Sequence, residues 1–307
     1  MSSLIHPYLC GRIADEWLIN MTEKNSNVCL QSKKSNYIKK YVITTYLVFW
    51  GAIMLVGILF ILCGQKKSVM NWGTVVASWV PTIILMCYFD KLFPDIKRCD
   101  WIKNAFRSRL KVGMLLFVTV CIAAAVVGTY VITVQNNSTL SFDDLKGITV
   151  HSLIPTIFFA ITQGATGEEA GWRGFLQGHF EKKYNGNLLK SALVVGVIWS
   201  FWHTPLWFIT GLPPVQMLIY IGTFIVGNLC LSVIIAVCYE YCRNLIVPMW
   251  IHFLSNVLST IIEPYVGDVK SVLMARCWLA VFYITIAIIF ALWYLIRQPK
   301  NAENQGF

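Results

Sequence analysis

The stretch YVITTYLVFWGAIMLVGILFILC, residues 41–63, contains no charged side chain and decides the fold class. A helix rises 1.5 Å per residue, so about 20 consecutive apolar residues are enough to cross the hydrocarbon core of a membrane. Two further uncharged stretches, residues 112–134 and 215–239, repeat the pattern. The sequence therefore predicts a protein that crosses a membrane several times as helices.

The composition of the whole chain agrees with this interpretation. Of its 307 residues, 57% are hydrophobic and 13% are charged, whereas a soluble domain has about 25% charged residues. We expect an all-α polytopic membrane protein, with about eight transmembrane helices that enclose an intramembrane cavity. The apolar pattern places these helices at about 41–63, 71–89, 112–134, 148–180, 190–211, 215–239, 245–263 and 274–297.

The ends of the chain differ from this membrane domain, residues 41–297. Residues 1–40 are polar and predict an N-terminal extension, and residues 298–307 predict a short tail. The extension holds charges and no clean apolar run near its start, so we expect no cleaved signal peptide. Both Met1 and Met21 fit as the first residue.

The net charge of +10 is compatible with nucleic-acid binding, but the distribution of basic residues favours another explanation. Lys and Arg gather in the cytoplasmic loops of membrane proteins. With the N-terminus inside, the inner segments hold 19 of these residues and the outer loops hold 5. We therefore expect the lipid bilayer as partner, no nucleic acid, and both termini in the cytoplasm. In a bacterium the location would be the plasma membrane.

The ten cysteines are scattered and form no CxxC pair. This spacing predicts neither a zinc ribbon nor a disulfide framework.

Ionisable residues inside spans are costly and usually mark function, and here they form a small set. One predicted helix carries Glu168, Glu169 and Arg173, the next carries His203, and a later one carries His252 with Asn256. We expect them to reach one level in the membrane, in a cavity open to the cytoplasm.

The spacing of these residues assigns them to helix faces. Glu169 and Arg173 are four residues apart, so they share a face and can pair. Glu168 is rotated from Glu169 by about 100° and stays available for another task. His252 and Asn256 are also four residues apart, which lets both present nitrogen donors to one point.

Three patterns follow one another on the predicted helices between residues 148 and 262: EExxxR, WxxxH from Trp199 to His203, and HxxxN. This ordered triple resembles the CAAX protease and bacteriocin-processing family, which includes the CAAX prenyl endopeptidases. One departure is Trp199, which stands where the family usually has Phe. The resemblance implies an intramembrane endopeptidase whose core motifs lie in residues 148–262.

Peptide hydrolysis needs a base for water and donors for the developing oxyanion. Glu168 could take the proton of a water molecule, and His203 could hold that water and assist the leaving amine. His252 and Asn256 could form the oxyanion site. The resemblance implies the same roles.

Three residues are expected to support this site. Glu169 and Arg173 would be the structural pair that orients Glu168. Trp199 belongs to the same motif as His203 and completes the supporting set.

A second mechanism uses the same atoms. Glu168, His203 and His252 make a His₂Glu set, which catalytic zinc accepts. The motif HExxH is absent, and the resemblance favours glutamate chemistry without a metal. We therefore expect no cofactor, with zinc as the alternative.

Two other functions remain open from the sequence. A transporter could use Glu168 and the histidines as a proton relay, although no internal repeat supports this. A non-catalytic protein for bacteriocin self-immunity or signalling would also fit the resemblance. For the protease, the expected partner is a peptide or protein substrate, either a prenylated CAAX tail or a leader peptide.

Overall fold

The computed structural model describes residues 7–137, 140, 141, 143, 147–262 and 268–298, with side chains from Ser35 onward except at Ile262. Within these ranges the regular structure is helical throughout. The helices are α1 (Pro7–Leu62), α2 (Lys67–Ser78), α3 (Val80–Leu92), α4 (Arg98–Arg107), α5 (Val112–Gln135), α6 (Val150–Ala160), α7 (Thr166–Gly171), α8 (Gly178–Lys183), α9 (Leu188–Trp202), α10 (Thr204–Ile209), α11 (Pro214–Cys242), α12 (Ile246–Ile262) and α13 (Val269–Arg297).

The all-α membrane fold is confirmed. In the described part of the chain, five helical stretches are long and apolar enough to cross a membrane: Ser35–Leu62, Lys67–Leu92, Val112–Gln135, Pro214–Cys242 and Val269–Arg297. Shorter apolar helices accompany them. Many large apolar side chains on the spans face outward, including Met54, Ile61 and Ile288. Lipid tails match such a surface, and a helix satisfies its backbone polar groups along its own length. The count of eight spans stays a prediction.

Two spans predicted as single helices are broken near prolines. The segment 190–211 breaks at His203, because Pro205 has no N–H to give to the carbonyl of Phe201. The hydroxyl of Thr204 donates to that carbonyl instead, at 2.5 Å. The segment 71–89 breaks at Trp79, two residues before Pro81. The first break leaves His203 at a helix end.

The long predicted helix 148–180 is a series of shorter pieces. A π-helical turn, Ile161–Ala165, separates α6 from α7, and a second, Trp172–Gln177, separates α7 from α8. Inside the first turn the backbone leaves helical geometry at Gln163 and Gly164, where Gly164 has φ +80° and ψ −69°. Single π-helical turns of this kind are frequent at functional sites.

The helices pack so that α7 lies inside the bundle. Helix α11 packs against α9 and α13, α5 packs against α12 and α13, and α1 packs against α2 and α3. Helix α7 packs against α3. A Cβ at Gly167 would lie 2.8 Å from the carbonyl oxygen of Ser78, so only glycine permits this approach.

The two ends of the bundle differ in charge. At one end, which we call the basic end (residues 90–111, 181–190 and 243–245), α4 docks on the turn between α11 and α12. There the Leu245 N–H donates to the Ala105 carbonyl at 2.9 Å. The distal end comprises residues 63–67, 136–137, 147–149, 210–213 and 268. Here Asn137 Nδ2 lies 2.5 Å from Ser271 Oγ.

Candidate active site

Glu168 is held so that its two oxygens have different surroundings. Its side chain is 3% exposed, and Oε2 accepts hydrogen bonds from Trp172 Nε1 at 3.1 Å and from Trp199 Nε1 at 2.5 Å. In the described part of the chain no donor bonds Oε1. The residue lines a cavity. The two indoles thus fix one oxygen and leave the other available to react.

Glu169 is buried on a different face of α7 and bridges Arg173 and His252. Its Oε1 accepts from Arg173 Nη1 at 3.0 Å and from His252 Nδ1 at 2.7 Å. The pair with Arg173 was predicted. That Glu169 and Arg173 orient Glu168 stays a prediction; the described hydrogen bonds link Glu169 to His252 and link Glu168 to two indoles. Glu168 and Glu169 lie on different faces of α7 and meet different neighbours. Glu168 lines the cavity, and Glu169 holds His252.

Because a carboxylate can only accept, the bond to Glu169 places a proton on Nδ1 of His252. Its Nε2 is directed toward Gly164, where an added Cβ would lie 2.9 Å from that nitrogen and 3.0 Å from Glu168 Oε1. The kink at Gly164 therefore brings its backbone between the reactive oxygen and this ring. Arg173 lies 4.4 Å above the Trp199 ring, which connects the cationic pair to the indole that holds Glu168.

His203 is oriented by its own helix. Its Nδ1 donates to the carbonyl of Trp199 at 2.8 Å, so Nε2 of the neutral ring carries a lone pair. Trp202 and Phe224 flank the ring, with centroids 4.8 and 5.2 Å away. His203 lines the same cavity as Glu168.

Asn256 lies one turn after His252 and completes the predicted set. It makes no hydrogen bond to any residue described, and it lines the cavity shared by Glu168, His203 and His252. The structure thus brings together the four residues that the sequence nominated for chemistry. Their individual roles remain proposals.

Two adjoining cavities meet at this point. The smaller, about 270 Å³, holds Glu168 and its neighbours, and the larger, about 500 Å³, reaches Asn71, Thr156 and Arg276. These three residues lie near the helix ends that form the distal end. The larger cavity thus extends toward the distal end. A cavity open to the cytoplasm stays a prediction.

A catalytic zinc would need three of the site's side chains as ligands. Among the residues described, no group of three His, Cys, Asp or Glu side chains is placed to hold a metal ion. The arrangement therefore does not fit the His₂Glu zinc set, and the reaction below is derived from the side chains alone.

Sequence reasoning missed three residues that matter to the site. Trp172 donates to Glu168, and its i+4 spacing from that residue was the available signal. Gly164 supplies a positive φ that no helical pattern shows. Asn228 is an uncharged polar residue in the predicted span 215–239, yet its buried Nδ2 has no partner in the described structure and the residue lines both cavities.

An all-α membrane bundle with a buried carboxylate, two histidines and an asparagine around an inner cavity defines a membrane-embedded hydrolase. Residues 150–258 match the family described as type II CAAX prenyl endopeptidase Rce1-like. The chain is also similar to CAAX prenyl protease 2 of Methanococcus maripaludis, with 24% identity over 230 residues, which cover 73% of this chain and 82% of that protein. These similarities support the resemblance to the CAAX protease and bacteriocin-processing family that the sequence motifs predicted, and both the matched family and the matched relative are described as proteases.

Proposed function

We propose that this protein is an intramembrane endopeptidase in which Glu168 activates water for attack on a peptide carbonyl. The observation that carries the proposal is the asymmetric environment of this carboxylate, with Oε2 bound by two indoles and Oε1 unbonded in the described structure. A base held this way is preorganised, because its orientation does not have to be established during the reaction. The three motifs lie within the segment that matches the family.

The proposed reaction uses the hydrogen-bonding atoms that face the cavity. Water bound between Glu168 Oε1 and His203 Nε2 loses a proton to Glu168 as it attacks the carbonyl. The tetrahedral intermediate then collapses, the C–N bond breaks, and Glu168 returns the proton to the leaving amine. His203 aligns the water by accepting its second hydrogen.

The oxyanion is assigned to His252 and Asn256. Nδ1 of His252 already donates to Glu169, so Nε2 can donate only when the ring is an imidazolium. The proposed oxyanion contact therefore requires the doubly protonated ring, with Glu169 accepting the hydrogen bond from Nδ1.

The substrate proposed first is a CAAX-type carboxy-terminal peptide, because the relative from Methanococcus is named a CAAX prenyl protease. A leader peptide of an exported protein is the second candidate, and the direction of the cavity favours it. If the basic end lies in the cytoplasm, as the distribution of Lys and Arg indicates, both termini are cytoplasmic. The larger cavity then extends toward the other face, where exported peptides are found.

A detergent-purified enzyme tests the proposal. A farnesylated CAAX peptide and a peptide that contains a leader cleavage site are incubated with wild type, Glu168→Gln and Glu181→Gln. A general base contributes about 10²- to 10⁴-fold, so Glu168→Gln should lose at least that much while it elutes and melts as wild type. Glu181 lies on α8 outside the cavity, so its variant should keep full activity. Undiminished cleavage by Glu168→Gln would overturn the assignment.

A further inference from the structure

The larger cavity has the lining of a peptide-binding site. Neutral side chains that can donate or accept hydrogen bonds supply much of its wall, among them Asn71, Thr156, Gln163, Thr223, Asn228 and Ser259. Inside a membrane bundle, such groups are expensive unless something bonds them. Thr156, Gln163 and Thr223 already donate to neighbouring protein groups. A peptide backbone offers alternating carbonyl and N–H groups that would bond the donors and acceptors that remain.

Arg276 is the charged side chain among the described residues that line this cavity. Its guanidinium carbon lies 4.0 Å from the centre of the Tyr220 ring, and the residue is half-buried. It forms no ion pair with any described carboxylate. A guanidinium stacked on an aromatic face keeps its edge N–H groups, and this edge binds a carboxylate in bidentate fashion.

Asn228 lies at the junction of the two cavities. It lines both of them, and its Nδ2 is buried with no hydrogen-bond partner in the described structure. A buried donor without a partner carries a desolvation cost that a bound acceptor would remove. Its position beside Asn256 suits a substrate carbonyl close to the scissile bond.

Resting on the proposed protease function, we propose that the larger cavity is the subsite for the substrate segment that follows the scissile bond, and that Arg276 binds a carboxylate on that segment. Asn228 donates to a backbone carbonyl of that segment, between the scissile bond and the carboxylate.

The distance from Asn256 to Arg276 sets the length of the substrate segment that can span them. Tyr283 bonds Ser255, next to Asn256, and Arg276 precedes Tyr283 by about 10 Å of helix. An extended peptide covers that distance with about three residues.

Farnesylated CAAX peptides with different carboxyl ends test the proposal. One peptide carries the free terminal carboxylate, one carries a terminal amide, and one carries the amide with Asp as its last residue. A charge-assisted hydrogen bond corresponds to about a 10- to 100-fold effect. The free acid should therefore exceed the amide in kcat/KM by that factor. If the Asp amide also exceeds the plain amide, an acidic side chain serves as well as the chain terminus.

Variants of Arg276 test whether this residue causes the preference for the free acid over the amide. Arg276→Gln should cleave the acid and the amide equally, and Arg276→Lys should keep part of the difference. Lys270→Gln removes a positive charge from the same helix outside the cavity and should keep all of it. Wild type that does not distinguish acid from amide would overturn the subsite and leave the protease assignment intact.

Binding measurements distinguish the proposed carboxylate subsite from the proposed catalytic role of Glu168. Glu168→Gln protein should bind the acid peptide about 10- to 100-fold more tightly than the amide, and the double variant with Arg276→Gln should bind both alike. Equal or absent binding of the two peptides by Glu168→Gln would contradict the subsite even if no peptide is cleaved. If the preference appears without cleavage by wild type, the subsite stands and the protease proposal fails for this substrate.

Asn228→Leu examines the second contact. Loss of a donor to substrate should raise KM by about tenfold, with the melting temperature unchanged or higher, because an unpaired buried donor is gone. A lower melting temperature with unchanged KM would show that Asn228 serves helix packing.

Discussion

His252 and Glu169 are joined by a 2.7 Å hydrogen bond between the ring Nδ1 and the carboxylate Oε1, and the same oxygen accepts from Arg173 at 3.0 Å. The side chains of Glu169 and Arg173 are fully buried. One carboxylate oxygen therefore balances a guanidinium and fixes the ring that faces Glu168. The two adjacent glutamates act through different neighbours, one on the cavity and one behind it.

Glu169→Gln should lower kcat strongly and leave KM nearly unchanged. The amide oxygen can still accept from His252, but the negative charge beside the ring is lost. Residues that orient a reacting group in this way typically contribute about 10- to 100-fold. Steady-state kinetics with the peptide that wild type cleaves best measures the split between kcat and KM. A rise in KM with constant kcat would show that Glu169 acts on binding.

The same variant should be less stable, because Arg173 is left buried without its counterion. Breaking one partner of a buried pair typically costs about 3–5 kcal/mol. The double variant Glu169→Gln with Arg173→Met should regain part of that loss and remain slow. Thermal melts of the single and double variants in one detergent compare the two, and additive losses would contradict the coupling.

Gly164→Ala should inactivate the enzyme and destabilise it. Its φ of +80° is unfavourable for alanine, and the added Cβ would lie 2.9 Å from His252 Nε2 and 3.0 Å from Glu168 Oε1. Strain of this kind costs about 1–3 kcal/mol. The matched control is Gly178→Ala, where a Cβ meets nothing within 4 Å and the backbone is helical. That control should keep its activity and gain up to about 1 kcal/mol. Normal activity of Gly164→Ala would show that the kink is not needed.

A sequence alone predicts some features of the site and not others. Apolar runs indicate spans, because burial in lipid depends on composition, and i+4 spacing indicates pairs such as Glu169 with Arg173. Contacts between helices depend on crossing geometry, which has no local pattern. The bond from His252 to Glu169 and the bond from the Trp199 indole to Glu168 are contacts between helices, so the sequence does not predict them. The break at Gly164 is local, yet a single glycine inside an apolar run is common and does not predict one.

Asn256→Ala should lower kcat by about 100- to 1000-fold while KM stays nearly constant, because its proposed contact forms only in the transition state. Ser255→Ala is the neighbouring control. It loses a 2.9 Å bond to Tyr283 and should cost about 1 kcal/mol of stability with little change in kcat. A normal kcat for Asn256→Ala with a lower melting temperature would assign Asn256 to packing and weaken the catalytic reading.

Turnover should not depend on a bound metal. Dialysis of active protein against a chelator should leave kcat unchanged, and metal analysis should find far less than one equivalent of zinc. The physical reason is that, among the described residues, no three His, Cys, Asp or Glu side chains are placed to hold one ion. Loss of activity that stoichiometric zinc restores would replace the proposed mechanism with a metal-assisted one.

Maleimide labelling of native cysteines determines the orientation of the bundle in the membrane. Cys63 lies just after α1 at the distal end, Cys99 lies in α4 at the basic end, and both are exposed. If the basic end is cytoplasmic, a membrane-impermeant maleimide added to intact cells should label a variant that keeps only Cys63. It should label a variant that keeps only Cys99 after the membrane is permeabilised.

Each variant controls for the other, because the same reagent and the same protein background are used. The expected pattern places the larger cavity toward the non-cytoplasmic face, where a substrate would be an exported peptide. The reverse pattern, with Cys99 labelled in intact cells, would place both termini outside and turn the cavity toward the cytoplasm. A cytoplasmic CAAX tail would then be the substrate that reaches Arg276 and Glu168. The labelling thus decides between the two substrate classes without any measurement of cleavage.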